Sequence, residues 1–396
     1  MRKIEILNDY KNYIIESYTR TPGIFIKGKG MTLIDKKRKK YLDFFPGWGV
    51  SNVGHCHPKV MSAVRDQIGK LIHIPNNFYN PQQAKLAKEI IRQSFPGKVF
   101  FCNSGAEACE SAIKLSRVYG EEKRFEIITM DQSFHGRTLG ALSATGQKKY
   151  QKGFSPLVEG FRTVPFNDIN AIKAAINPMT VAVMLELVQG EGGVNIAKKE
   201  YVTELRKLCD EKKLLLIIDE VQTGIGRTGE MFAFKHYGIT PDVMILAKSL
   251  GGGLPIGVMV AGKNIADLLK PGMHASTFGG SHLVCKAALG VFRAISKEKM
   301  LKNAKIMGEY AIKKFAALKA EFPCISDVRG LGLMIALELT IDGKLIAEEC
   351  FNNGLIINCT QGKILRLMPA LNVTKKQVNK AAAIIKKSLE KVVNKK

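Results

Sequence analysis

The sequence predicts an α/β fold: a large domain with a mostly parallel central sheet, plus a smaller α+β domain built from both chain ends. Three observations predict it. From about residue 82 to 250, near-continuous apolar runs (KVFFC, FEIITM, VAVMLEL, LLLIID, DVMILA) alternate with helical stretches, the pattern of a parallel sheet covered on both faces. Two of these runs, LLLIIDE (214–220) and DVMILAKSLGGG (242–253), pass straight from apolar residues into Asp219 and Lys248. The ends read differently, with short hairpin strands near the start and helices followed by strand-like pieces after residue 285.

Taken in order, the first 20 or so residues are amphipathic and predict a helix ending near Thr21-Pro22-Gly23. GIFIKGKGMTLID and KKYLDFF predict an antiparallel hairpin, with the basic run DKKRKK (35–40) as its solvated tip. QQAKLAKEIIRQSF predicts a helix before the strand KVFFCNS, AEACESAIKLSRVYG a helix before FEIITM, and YVTELRKLCDEKK a helix before LLLIID. After residue 285 come long helices, then GLMIALEL and ILRLMPAL as strands, then a Lys-rich terminal helix. The division expected is 1–55, 56–284 for the large domain, and 285–396.

Composition narrows the function classes. Hydrophobic residues make up 46% and charged residues 24% of the 396, values of a globular protein. No run of about 20 apolar residues is present, and the start lacks the apolar core of a secretion signal, so the expected location is cytoplasmic. The eight cysteines form no C-x-x-C pair and read as reduced, small residues. GHCHP (54–58) offers too few ligands for a metal and reads as a turn. Sixty basic residues against 35 acidic give +25. They are spread along the chain with no basic stripe, which reads as a bias toward anionic ligands rather than a nucleic-acid site. The rival from another class is a basic nucleic-acid-binding protein on an inactive enzyme scaffold; salt-dependent RNA retention tests it.

The chemistry-bearing residues sit where strands end. Ligands of open α/β sheets lie outside the carboxyl ends of the strands. A buried lysine such as Lys248 has a readily lowered pKa and can form a Schiff base with an aldehyde, and a carboxylate such as Asp219 can hold a pyridine nitrogen protonated. Those are the needs of pyridoxal 5'-phosphate (PLP). CNSGAEACESAIKL (102–115) opens a helix through Ser104, Gly105 and Ala106, whose amides favour an anion. QSFHGRTLGALSATG (132–146) offers Phe134 to stack on a ring and Arg137 to bind a carboxylate. Glu186 in MLELVQGEGG is an acid within an apolar run, so an arginine partner is expected, and Arg366 in LRLMPALNVT is the candidate. HASTFGG (274–280) offers the Ser276 and Thr277 hydroxyls. Each pattern alone also fits a cap, a core residue or a plain turn.

In their order, NSGAEA, FHGRT, LELVQGEGGV, IIDEVQTGIGRTG, PDVMILAKSLGGGLPIG, STFGG and RLMPALNVT resemble the class III aminotransferases, the ornithine-type PLP enzymes of fold type I. The resemblance runs from GHCHP to RLMPALNVT, nearly the whole chain. It implies that Lys248 binds the cofactor aldehyde and shuttles the proton, that Asp219 pairs with the pyridinium, and that Gln222 bonds the ring hydroxyl oxygen. It further implies Val221 and Phe134 on the two ring faces, Gly105 and Ala106 as phosphate-binding amides, and Thr277 as a phosphate ligand given to the neighbouring subunit of a homodimer. Within the class the chain resembles the acetylornithine-type members. That implies Arg137 and Ser276 at the donor, and Glu186 paired with Arg366 until Arg366 takes the α-carboxylate of glutamate or 2-oxoglutarate. Rival donors are ornithine, succinyl-diaminopimelate and 4-aminobutyrate; an aminomutase is disfavoured by Arg366. Three departures bear on the donor: Leu187 where proline is usual, Ser281-His282 where Asn-Pro is usual, and Trp48 where smaller residues are usual.

Overall fold

A computed structural model describes residues 3–394; residues 1, 2, 395 and 396, the extremes of the first and last expected segments, lie outside it. The chain opens with α1 (Lys3–Tyr13), which buries none of its residues. The helix expected to residue 20 stops at Tyr13, because a short helix without a packing partner rests on propensity alone and the β-branched Ile14 and Ile15 follow. β1 (Phe25–Lys29), β2 (Thr32–Asp35) and β3 (Lys40–Asp43) pair antiparallel in succession. Residues 36–40 are exposed at the tip between β2 and β3. A fourth strand, Leu355–Ile356, joins β3 in parallel from the far end of the chain.

The GHCHP turn is structural on both sides. His55 Nε2 lies 2.7 Å from Asp43 Oδ2, and His57 caps α2 (Pro58–Ile68) through its Nδ1. Next come α3 (Pro81–Gln93), β4 (Gly97–Cys102), α4 (Gly105–Tyr119), β5 (Glu126–Met130), α5 (Leu139–Ala144), α6 (Lys148–Gln151), β6 (Phe161–Val164), α7 (Ile169–Ala175) and β7 (Thr180–Leu185). A two-strand ribbon follows, β8 (Val188–Gln189) with β9 (Asn195–Ile196), then α8 (Lys199–Lys212), β10 (Leu215–Asp219), β11 (Val243–Leu246) and β12 (Gly257–Gly262).

Seven of these strands form the central sheet in the order β4-β12-β11-β10-β7-β5-β6. Every neighbouring pair is parallel except the two that involve β12. Alternate residues feed two cores, as the period of a strand requires. Leu215, Ile217, Val243 and Ile245 pack with Ala108, Ala112 and Leu115 of α4. Leu216, Ile218, Met244 and Leu246 pack with Val202 and Leu205 of α8 on the other face. Burial on both faces explains why these strands read as unbroken apolar runs.

The C-terminal part contains α9 (His282–Lys297), α10 (Met300–Ala316), β13 (Ile325–Leu331), β14 (Met334–Leu339), α11 (Gly343–Asn352), β15 (the strand Leu355–Ile356), β16 (Asn358–Thr360), β17 (Ile364–Leu367) and α12 (Lys375–Val393). Its antiparallel sheet runs β13-β14-β17-β16. A capping box at Thr374 and Gln377 starts α12. No helix among the described residues is long and apolar enough to cross a membrane.

Candidate active site

Three adjacent parallel strands end together. Ile218 of β10 registers with Leu185 of β7, and Asp219 with Ile245 of β11. Glu186, Asp219 and Lys248 therefore emerge side by side from the carboxyl ends of β7, β10 and β11. The segments after β4 and β5 reach the same edge, carrying Ser104 to Ala106 and Phe134 to Arg137. Together they line a cleft of about 480 Å³. Of the residues singled out in the sequence, Gly105, Ala106, Phe134, Arg137, Glu186, Asp219, Val221, Gln222 and Lys248 all line it.

Asp219 is buried at the cleft floor. Its Oδ1 accepts the Val221 amide at 3.0 Å, and its Oδ2 lies 2.8 Å from Nδ1 of His135. Burial pulls the His135 imidazole down, but the hydrogen bond and charge of Asp219, with Glu186 beyond, raise it net above its ordinary value. Lys248 takes the left-handed conformation, φ 41°, at the start of a 3₁₀ turn. Burial holds its amine below the usual lysine range against the opposing pull of Glu191, Asp219 and Glu186. A lysine so placed spends more time as a free base.

α4 begins where the cleft needs an anion site. Ser104 caps it by accepting the Glu107 amide at 3.2 Å, and Glu107 reaches back to the Asn103 amide at 2.8 Å. The first amides of a helix have no intrahelical acceptor and carry the positive end of its dipole. Gln222 presents to this buried wall an Oε1 with no hydrogen-bond partner among the described residues. Gly190 lets it sit there, since a Cβ at 190 would collide with the Gln222 amide.

Two arginines approach from different sides. Arg137 lies over the Tyr150 ring at 4.2 Å and the Phe134 ring at 5.6 Å, and the two rings meet edge to face. It has no carboxylate partner among the described residues. Arg366, fully buried in β17, lies 4.8 Å from the centroid of Phe45 and donates Nη2 to Asn358 Oδ1 at 3.0 Å. Its Nη1 has no partner among the described residues.

The pairing expected between Glu186 and Arg366 does not form. Arg366 Nη2 instead meets Glu191 Oε1 at 2.8 Å. Glu186 follows β7 directly and is held by the amides of Phe134, at 3.0 Å, and Gly190, at 3.3 Å. Burial and the charge of Asp219 push its carboxyl up. Glu191 sits in the turn between β8 and β9, which carries it across to β17 and places Oε1 3.4 Å from Gln222 Nε2. Burial tends to raise Glu191, but Arg366, Lys248 and Gln222 hold it below the usual range. The acid was legible in QGEGG, but a strand-borne carboxylate drew the pairing.

A model for "Aminotransferase class-III" matches residues 13–389. The chain belongs to the class III aminotransferases. Its curated relatives include the acetylornithine aminotransferases of Methanocaldococcus jannaschii, 50% identical over 93% of this chain and 94% of the relative, and of Caldanaerobacter subterraneus subsp. tengcongensis, 46% identical over 96% and 98%. Among solved structures, the ornithine aminotransferase of Toxoplasma gondii superposes with a TM-score of 0.96 at 31% identity, covering 100% of this chain and 97% of that one. The acetylornithine aminotransferase of Elizabethkingia anophelis gives 0.88 at 30% identity, covering 99% and 100%.

Class III aminotransferases use PLP, and a T. gondii ornithine aminotransferase structure has PLP at its active site. The residues of this aminotransferase fit that group. A buried acid, a lysine with lowered pKa, an unpartnered Gln222 oxygen and a helix N-terminus surround one cleft of suitable size.

Ser276 and Thr277 do not line the cleft. Ser276 Oγ accepts from Asn103 Nδ2 at 3.2 Å, one residue behind the helix cap, while Thr277 is exposed on the loop before α9. His135, Glu191, Tyr150 and Phe45 are the site residues that the sequence reading missed. The first two lie within quoted motifs; Tyr150 and Phe45 act by packing, which leaves no local signal.

Proposed function

We propose that this aminotransferase moves the terminal amino group of N2-acetyl-L-ornithine to 2-oxoglutarate, releasing N-acetyl-L-glutamate 5-semialdehyde and L-glutamate, a step of arginine biosynthesis. The observation that carries the proposal is the pair of unequal arginines, Arg137 without a carboxylate and Arg366 held by Glu191. The names of the relatives at 46–50% identity support the same donor.

When bound, PLP supplies an aldehyde and a protonated ring that takes up electrons. Gly105 and Ala106 would hold its phosphate through their amides, Asp219 its ring nitrogen, Gln222 its phenolic oxygen, and Val221 and Phe134 would pack on the ring. Lys248 would hold the group at its aldehyde carbon. It also takes the proton from the carbon bearing the terminal amine, which its lowered pKa favours.

Arg137 holds the carboxylate of the donor, whose chain carries only one. For that half-reaction Glu191 keeps Arg366 neutralised. A dicarboxylate engages both arginines. Its α-carboxylate displaces Glu191 from Arg366, and its distal carboxylate rests on Arg137. The exposed Thr277 reaches a phosphate in a second copy of the chain, so the working unit is a homodimer. Exposed apolar residues such as Ile15, Phe78 and Tyr79 support such a contact.

Ornithine is the second reading, favoured by the superposition on the T. gondii enzyme. Titration of PLP-loaded enzyme with N2-acetylornithine and with ornithine, followed in the visible spectrum, separates the two. The acetylated donor should change the spectrum at far lower concentration; the opposite order assigns ornithine.

A further inference from the structure

One side chain outside the cleft ties the two arginine sites together. Gln361 stands in the turn between β16 and β17, five residues before Arg366, in the left-handed conformation with φ 51°. A non-glycine residue is strained in that conformation, so its side chain has a reason to be held. Its Nε2 donates both to the Glu191 carbonyl at 2.8 Å and to Gln147 Oε1 at 3.0 Å, and its Oε1 accepts Lys149 Nζ at 3.1 Å. Thr360 Oγ1 donates to the same Glu191 carbonyl at 2.8 Å.

Both ends of this contact lead to a carboxylate site. On one side, the backbone of Glu191 is clamped while its side chain holds Arg366. On the other, Gln147 is buried and its Nε2 donates to the carbonyls of Gln132 and Ser133, each at 3.1 Å. Those residues lead directly into Phe134 and Arg137. Gln147 also immediately precedes α6, whose Tyr150 carries the Arg137 guanidinium.

We infer that Gln361 is a positioning residue that fixes the separation of Arg137 from Arg366, and so selects the chain length of dicarboxylate the cleft accepts. The inference rests on the two-arginine reading given above. A ligand bridging both arginines depends on their spacing, whereas a donor with one carboxylate depends on Arg137 alone. Losing Gln361 should therefore weaken dicarboxylates selectively. A purely structural role would move melting temperature and both ligands together.

The test uses PLP-loaded enzyme with Gln361→Ala, and Gln361→Glu as an isosteric second variant that cannot donate to Gln147 or Glu191. Glutarate binding is measured by calorimetry, and the KM of N2-acetylornithine alongside it. We expect glutarate to bind about tenfold more weakly in both variants, with donor KM within about twofold and melting temperature unchanged, the size of an ordinary coupling energy. Unchanged glutarate affinity, or equal weakening of both ligands with a lowered melting temperature, overturns the inference. A parent enzyme indifferent to both ligands removes the proposed function and this inference together. A parent that binds both, matched by its variants, removes the inference alone.

Discussion

Nδ1 of His135 lies 2.8 Å from Oδ2 of Asp219, and both side chains are buried. The raised pKa of His135 keeps its ring a proton donor to the acid under the cofactor site. Replacing His135 with Phe removes a hydrogen bond to a charged group, a loss of about 1.5–3 kcal/mol. If that loss falls on the transition state, kcat drops by roughly tenfold to a hundredfold. His135→Asn, which can still donate, should recover part of it. Steady-state kinetics with saturating PLP checks both, and full activity in His135→Phe sinks the assignment.

Glu191→Gln tests the second arginine. The amide keeps the size of the side chain but no longer neutralises Arg366, whose Nη1 already lacks a partner among the described residues. Glutamate and 2-oxoglutarate then meet an uncontested guanidinium, and discrimination against α-amino acids weakens. The expected outcome is a rise in kcat/KM for L-glutamate of about tenfold, one charge-assisted contact's worth, with little change for N2-acetylornithine. Glu186→Gln, whose parent carboxylate accepts only backbone amides, should not reproduce that selectivity. If both substrates respond equally to Glu191→Gln, Glu191 is not the residue that separates them.

Legibility followed the physics of each element. Strands buried on both faces announced themselves, as Leu215 to Asp219 does, because every residue must be apolar. β12 is not legible in the sequence: GVMVAG sits among glycines that look like turn residues, yet Gly257 permits close approach to Ser104, as Gly97 of β4 does to Ala261. The cleft was legible because its groups leave strand ends, where a polar residue interrupts an apolar run. The Arg366–Glu191 pair was not, because two acids five residues apart compete and only the β8–β9 ribbon decides which one reaches β17.

A second fully buried cation, Arg227, yields a stability prediction. It has no acid partner among the described residues. Its Nη1 donates to the carbonyls of Leu333, at 3.0 Å, and Pro369, at 2.5 Å, while Nη2 donates to Asn52 Oδ1. Asn52 returns a bond from Nδ2 to the Ile225 carbonyl. Burial pushes the guanidinium down to about 9, still protonated at neutral pH. Arg227→Met strands three acceptors, each costing about 1–3 kcal/mol when left unpaired in the interior. Calorimetry should show a melting temperature lower by several degrees. A variant melting with the parent would mean that water takes over all three acceptors.

Glu220, the neighbour of Asp219, points the opposite way and sets a pH dependence. It accepts Thr223 Oγ1 at 2.5 Å and the Phe234 amide at 2.9 Å, pinning the loop that follows β10. Burial nevertheless pushes its carboxyl up to about 7, against about 4.3 in an unfolded chain. Between those values the folded protein binds the extra proton. Its stability contribution is therefore full below about pH 4.3 and is lost as pH rises to about 7, a fall on the order of 3 kcal/mol. Glu220→Gln cannot ionise and removes that slope, although its amide hydrogens fit the acceptor site less well. Melting curves from pH 5 to 8 should show the parent losing its advantage over Glu220→Gln as pH rises. Parallel curves would place the proton elsewhere, with Glu186 the next buried carboxyl to test.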